Sequence, residues 1–188
     1  MINVQPQNEE VLYAVDPIVR VNRQDIAELI RKAAGNARNR IRVCTHRNIE
    51  DRLHEMLIVH TRDTYVRPHK HLGRSESFHV IEGEVDVVIF DVAGAVADVL
   101  RLGSYSSGKT FYYRIADPLY HTLLIRSDVI VFHESINGPF CREDMVFAPW
   151  EPEATDVAAQ KEFLERVERD VAAFSSGKPE SCQELSRR

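Results

Sequence analysis

The chain has 188 residues, more than one average domain and too few for two domains with separate cores, so one domain with short extensions is expected. With 44% hydrophobic and 28% charged residues and only eight each of Gly and Pro, the composition excludes a disordered, collagenous or membrane-spanning main body. The net charge of -5 hides a basic stretch, residues 20–74, which hold 13 of the 24 Lys and Arg but 6 of the 29 acids; such a local field favours an anionic partner.

Residues 1–21 are polar with scattered apolar positions and read as an N-terminal arm. A helix follows. Asn22 is placed to cap it, Asp25 stands at the third helical position, Ile26, Leu29, Ile30 and Ala33 form one stripe, and Gly35 stops it. From residue 41 the texture changes to short apolar runs broken by turn residues. Strands are expected at 41–45, 54–61, 64–68, 77–81, 84–90, 95–102, 109–113, 121–125, 129–134 and 145–147. Strands so short and numerous, with no 12-residue helical pattern among them, imply a closed or double-sheet antiparallel architecture. Glu82-Gly83 and residues 91–94 read as hairpin turns, with Gly83 supplying a positive φ. Beyond Trp150-Glu151-Pro152, residues 156–174 form an amphipathic helix with Val157, Leu164, Val167, Val171 and Phe174 toward one face. It packs on the outside of the barrel or on a second subunit, the latter giving a homodimer. Residues 175–188 read as a mobile polar tail. The domain plan is therefore an arm at 1–21, a β domain with its leading helix at 22–153, and a helix and tail at 154–188.

Three cysteines, Cys44, Cys141 and Cys182, are widely spaced with no Cys-x-x-Cys pair, which argues against a disulfide framework or thiolate zinc site. The first nineteen residues contain Glu9, Glu10 and Asp16 but no Lys or Arg, so no signal-peptide profile is present and a cytoplasmic location is expected. The basic residues lack interleaved aromatics and helix-turn-helix or zinc-finger spacing; neither nucleic acid nor membrane is an expected partner.

Eight histidines are many for this length. His69 and His71, two apart on a strand, point to one face with Cα atoms roughly 6.6 Å apart. Glu76 begins the next strand and His121 opens a later one, so both can return to that face. Three imidazoles and one carboxylate suit one divalent Fe, Mn, Ni, Cu or Zn ion and disfavour Ca or Mg. Four protein ligands of an octahedral ion leave two positions open for a ligand oxygen. Tyr65 and Arg67 share strand parity with the two histidines and, with Tyr113, are candidate substrate-binding residues: Arg67 for a carboxylate or phosphate, Tyr65 for hydrogen bonding or proton transfer. Pairing of Arg67 with a neighbouring strand and filling of the barrel by Tyr65 explain them equally well. His79 has the opposite parity to Glu76 and points away. His54 and Glu134 lie on strands that border the barrel. No catalytic acid or base is singled out.

His69-x-His71, four residues, Glu76, six residues and Gly83 resemble the first cupin motif, although Asp63 stands at its leading Gly. Of the second motif only His121 is kept, with Thr110, Ala116, Pro118 and Ile125 at the other positions. The strings at 64–71, 121–123, 137–140 and 147–152 further resemble the WbuC-type cupin-fold metalloproteins over residues 22–153. The resemblance implies an all-β cupin jelly-roll barrel with a metal in its mouth, and an association with bacterial surface polysaccharide (O-antigen) gene clusters. The expected function is a metal-binding cupin acting on or binding a small anionic or carbohydrate-like ligand, with a sugar isomerase or epimerase of surface polysaccharide biosynthesis as the leading enzymatic reading. The alternatives are an Fe(II) dioxygenase and a non-catalytic, metal-dependent saccharide-binding module.

Overall fold

The computed structural model describes residues 2–153 and 155–177. Its elements, in chain order, are β1 (Val4–Pro6), β2 (Val11–Ala14), α1 (Arg23–Ala34), β3 (Arg40–Cys44), β4 (Leu53–Thr61), β5 (His69–His71), β6 (Glu76–Glu82), β7 (Glu84–Phe90), β8 (Val96–Gly103), β9 (Tyr112–Ile115), β10 (Tyr120–Ile125), β11 (Val129–Asn137), β12 (Met145–Phe147) and α2 (Val157–Gly177). The strands form a seven-stranded sheet, β1-β2-β3-β4-β11-β6-β9, and a five-stranded sheet, β12-β5-β10-β7-β8. Within these, β4-β11-β6-β9 faces β5-β10-β7-β8, the strand order of a jelly roll, and every pairing in that set is antiparallel. The expected all-β barrel with a helix at each end is the observed fold.

Strands β4 and β7 are nearly continuous apolar runs because both of their faces are covered. From β7, Val85, Val87 and Ile89 enter the barrel core, while Val88 and Phe90 lie beneath α2. From β4, Met56 and Ile58 point inward, and Leu57 and Val59 lie against α1. At the centre Phe78 and Phe132 stack with ring centroids 3.8 Å apart; burying each ring stabilises the fold by roughly 1.5–3 kcal/mol.

Helix α1 starts where a capping box is expected. Asn22 Oδ1 accepts from the amides of Gln24 and Asp25, and Asp25 Oδ2 accepts from Asn22 N at 2.9 Å. Asp25 Oδ1 also accepts from Ile2 N at 2.8 Å, fastening the start of the chain to this helix. Substituting Asn22→Ala should cost about 1 kcal/mol in urea unfolding, since it frees two amide donors.

Several elements differ from expectation. The opening residues are not a separate arm: β1 and β2 extend the large sheet, β2 pairing in parallel with β3 and burying Val11 and Leu12. Gly83 sits at φ 87°, but it turns a corner between the two sheets and is not a hairpin, since β6 pairs with β11 and β9 while β7 pairs with β10 and β8. A Cβ there would lie 2.1 Å from the Val129 carbonyl oxygen, so the corner admits only glycine. Residues 91–94 do form the β7–β8 hairpin, Asp91 Oδ1 accepting from Ala93 and Ala95 amides. Residues 64–68 form no strand, and β5 starts only at His69.

Helix α2 packs on the outer face of the five-stranded sheet of its own barrel. Its buried positions are Phe163, Val167 and Val171, with Trp150 stacked on Phe163. Val157, expected on that stripe, lies in the first turn and is exposed. Arg126 ties the helix down by bonding both Asp86 and Glu168. Residues 175–177, read as tail, continue α2, while 178–188 and with them Cys182 lie outside the described residues. No helix among the described residues is long and apolar enough to cross a membrane.

The charge asymmetry of the linear sequence is partly cancelled in space. Glu10, from the loop before β2, takes both Arg38 and Arg40; Arg62 meets Asp128, Arg67 meets Glu151, and Arg74 meets Asp144. Each acid comes from outside the basic stretch. The linear count therefore overstated the field available to an anionic ligand.

Candidate metal centre

Two strands of the small sheet and one of the large sheet bring the expected ligands together. His121 on β10 lies directly opposite His69 on β5 and Ile89 on β7, all directed inward. His71 follows on β5, and Glu76 opens β6 on the facing sheet. One ligand atom from each of His69, His71, Glu76 and His121 falls within 4.8 Å of all the others. Metal–ligand bonds of ~2.1 Å place donor atoms ~3–4.2 Å apart, so the group would need only a small contraction around an ion. His71 Nε2 and Glu76 Oε2 already stand 3.1 Å apart.

Two of the imidazoles are oriented before any ligand arrives. His69 Nδ1 bonds the Arg67 carbonyl oxygen at 2.7 Å, and His121 Nδ1 bonds that of Leu119 at 3.0 Å. A carbonyl only accepts, so Nδ1 carries the hydrogen and Nε2 presents its lone pair to the cluster. Burial, reinforced by His121 and His71, pushes the His69 pKa down to about 3 and keeps its ring neutral. For Glu76, burial alone would raise the pKa, but His121, the His71 hydrogen bond and the other imidazole interactions outweigh it and hold the carboxyl well below its usual range. Tyr113 Oη donates to Glu76 Oε1 at 2.9 Å, and its own pKa is raised by burial and by the Glu76 and Glu134 carboxyls. The donor set is thus neutral imidazole and carboxylate, which suits a first-row divalent ion.

The remaining candidates separate. Tyr113 reaches the cluster through its bond to Glu76 and also packs in the barrel core. Tyr65 does not: its ring packs at the edge of Phe163 on the outer side of the small sheet, with Oη donating to Glu151 at 3.3 Å. Without a strand at 64–68, the parity argument for a shared face fails. Arg67 lies nearer, its guanidinium 3.8 Å from the centroid of Phe147, which pairs with His69, but it is bound to Glu151, whose side chain is only 4% exposed. Lys70 sits over the Tyr120 ring on the outer side. His79 is exposed, as expected. Sequence reasoning missed Glu151; the signal lay in the 147–152 string, where Phe147 borders His69, Ala148 and Trp150 pack under α2, and Glu151 fastens Arg67.

Buried ionisable groups set the acid limit of the metal-free fold. His46, His60 and His69 have folded pKa values below the ordinary 6.5, each chiefly through burial, so below that pH the unfolded chain binds protons that the native state does not. Glu134, raised by burial and by Glu76 from 4.5 to about 8, acts oppositely: native stability is lost as pH rises through that interval. Stability should peak near pH 6.5 and fall by on the order of 2 kcal/mol per pH unit toward 4.5, measured by urea unfolding at successive pH values.

The fold and the cluster define a jelly-roll protein with an N/O ligand group at one end of its barrel. The overall fold is shared with a solved structure. A family model described as a domain of unknown function, DUF6016, matches residues 21–102, less than half of the chain. No curated protein matches. Among solved structures, protein SO0799 from Shewanella oneidensis is 9% identical, with a TM-score of 0.52 over 86% of this chain and 100% of that one. The Cnp3 cupin domain of Schizosaccharomyces pombe is 11% identical, with a TM-score of 0.41 over 52% of this chain and 64% of its own. The capsular polysaccharide assembling protein CapF from Staphylococcus aureus is 18% identical, with a TM-score of 0.43 over 52% of this chain and 27% of its own. The chain therefore spans about a quarter of CapF and just under two thirds of the Cnp3 domain.

Proposed function

We propose that this chain binds one divalent first-row metal ion through His69, His71, Glu76 and His121 and uses it to hold a small carbohydrate-like ligand by its oxygens. The observation that carries the reading is the convergence of these four side chains within 4.8 Å, with two histidine tautomers already set. Such an ion, when bound, supplies Lewis acidity toward a hydroxyl or carbonyl oxygen. The protein's own groups would orient that oxygen, exclude water and exchange a proton, which fits isomerisation. The motif likeness to WbuC-type proteins supports a role in bacterial surface polysaccharide assembly. An anionic ligand is less supported, because Arg67 and Arg74 are already paired.

The test is elemental analysis of tag-free protein reconstituted separately with Fe, Mn, Ni, Cu and Zn. About one equivalent of at least one metal is expected. Substoichiometric binding of all five would overturn the reading.

A further inference from the structure

The inner face of the large sheet carries an acid that the proposed metal centre does not use. Along β11, Phe132, Glu134 and Ile136 point into the barrel, and Ile136 pairs with Glu76 while Glu134 pairs with Phe78. Glu134 is therefore the diagonal neighbour of Glu76 on the adjoining strand. Its surroundings are Phe78 and Glu76 from β6, Tyr113 from β9, Met56 from β4, and Cys44 and Arg42 from β3.

Other inward or buried acids have partners: Glu76 bonds Tyr113 and His71, and Glu151 bonds Arg67 and Tyr65. Among the described residues Glu134 has no such hydrogen bond or ion pair. Glu134 points inward yet is only partly buried, and a carboxyl left there without a protein partner is better explained by a ligand than by packing, for which leucine would serve. A carboxyl oxygen accepts from an alcohol hydroxyl, so the two are matched partners.

We infer that Glu134 is the ligand-contacting residue opposite the histidines, hydrogen-bonding a hydroxyl of a ligand whose neighbouring oxygen is held by the His69, His71, Glu76 and His121 group. This rests on the proposed metal centre and extends it: the site selects a hydroxyl beside a metal-binding oxygen, the chemistry of a polyol, sugar or hydroxy acid.

The experiment uses cobalt-loaded full-length protein, with glycolate as probe and acetate, which lacks the hydroxyl, as control; binding is read from the cobalt d–d spectrum. Glu134→Gln retains an accepting oxygen, whereas Glu134→Leu has none. Equal cobalt stoichiometry in parent and variants is expected. Glycolate affinity should be retained in Glu134→Gln and fall about tenfold in Glu134→Leu, as loss of one buried hydrogen bond implies, with acetate affinity unchanged. Glycolate affinity unchanged in Glu134→Leu, equal losses for glycolate and acetate, or no glycolate response in the parent would overturn the assignment while leaving the metal centre standing. Failure of the parent to bind cobalt would remove both.

Discussion

His71→Ala should abolish stoichiometric metal binding while leaving the fold intact. The three imidazoles are not equivalent in what they do for the apoprotein. His69 and His121 each bond a carbonyl two residues earlier in the chain, so their removal also disturbs the approach to β5 and β10. The noted side-chain bond of His71 is to Glu76, at 3.1 Å, and Glu76 retains Tyr113 as a donor when His71 is gone. Loss of an outer partner of a metal ligand typically lowers affinity 10–100-fold, and loss of the ligand itself should exceed that. The expected result is metal content near zero after dialysis, with a metal-free unfolding midpoint close to the parent's. Metal retained at parental stoichiometry would show that the four side chains do not form the site.

The second large effect concerns stability. Arg67→Ala removes a partner that binds Glu151 through two guanidinium nitrogens, at a carboxyl only 4% exposed while the pair is intact. Tyr65 Oη, at 3.3 Å, is a poor replacement for a cation. Stranding a buried charge in this way costs about 3 kcal/mol or more, much more than an exposed ion pair would. Urea unfolding at pH 7 should show that loss, and Glu151→Gln combined with Arg67→Ala should recover part of it by removing the stranded charge. A ligand-binding Arg67 predicts the contrary outcome: weakened ligand affinity with stability nearly unchanged.

Much of the site was legible because its ligands lie on a motif with fixed spacing. His69, His71 and Glu76 follow from strand periodicity across one short loop, and His121 from the start of a later strand; the structure places all four together. Tyr113 was also readable, since it precedes His121 on a strand that borders Glu76. What failed were inferences that needed the third dimension. Parity could not be extended from His69 back to Tyr65, because a strand's alternation ends where its hydrogen-bonded partners end, and the ladder that orders β5 reaches no further back than the bond from Ala148 N to the Pro68 carbonyl oxygen. The role of β1 and β2 was hidden because strands of three and four residues leave little periodicity. The charge run was misleading for a related reason: Glu10, Asp128, Asp144 and Glu151 are remote in sequence from the arginines they neutralise. For α2, the stripe was placed one position out at Leu164, where Phe163 is the more deeply buried residue, since both fit a helical repeat beside Val167 and Val171.

The carbonyls of Arg67 and Leu119 have a consequence for the cost of loading the barrel. By fixing the hydrogen on Nδ1 they leave His69 and His121 with one tautomer each, and the low pKa of His69 together with the ionised state of Glu76 means that these two ligands have already shed their protons at neutrality. An arriving ion need displace no proton from either. Occupancy above the ordinary histidine range should then follow the supply of metal and not the acidity of the surroundings.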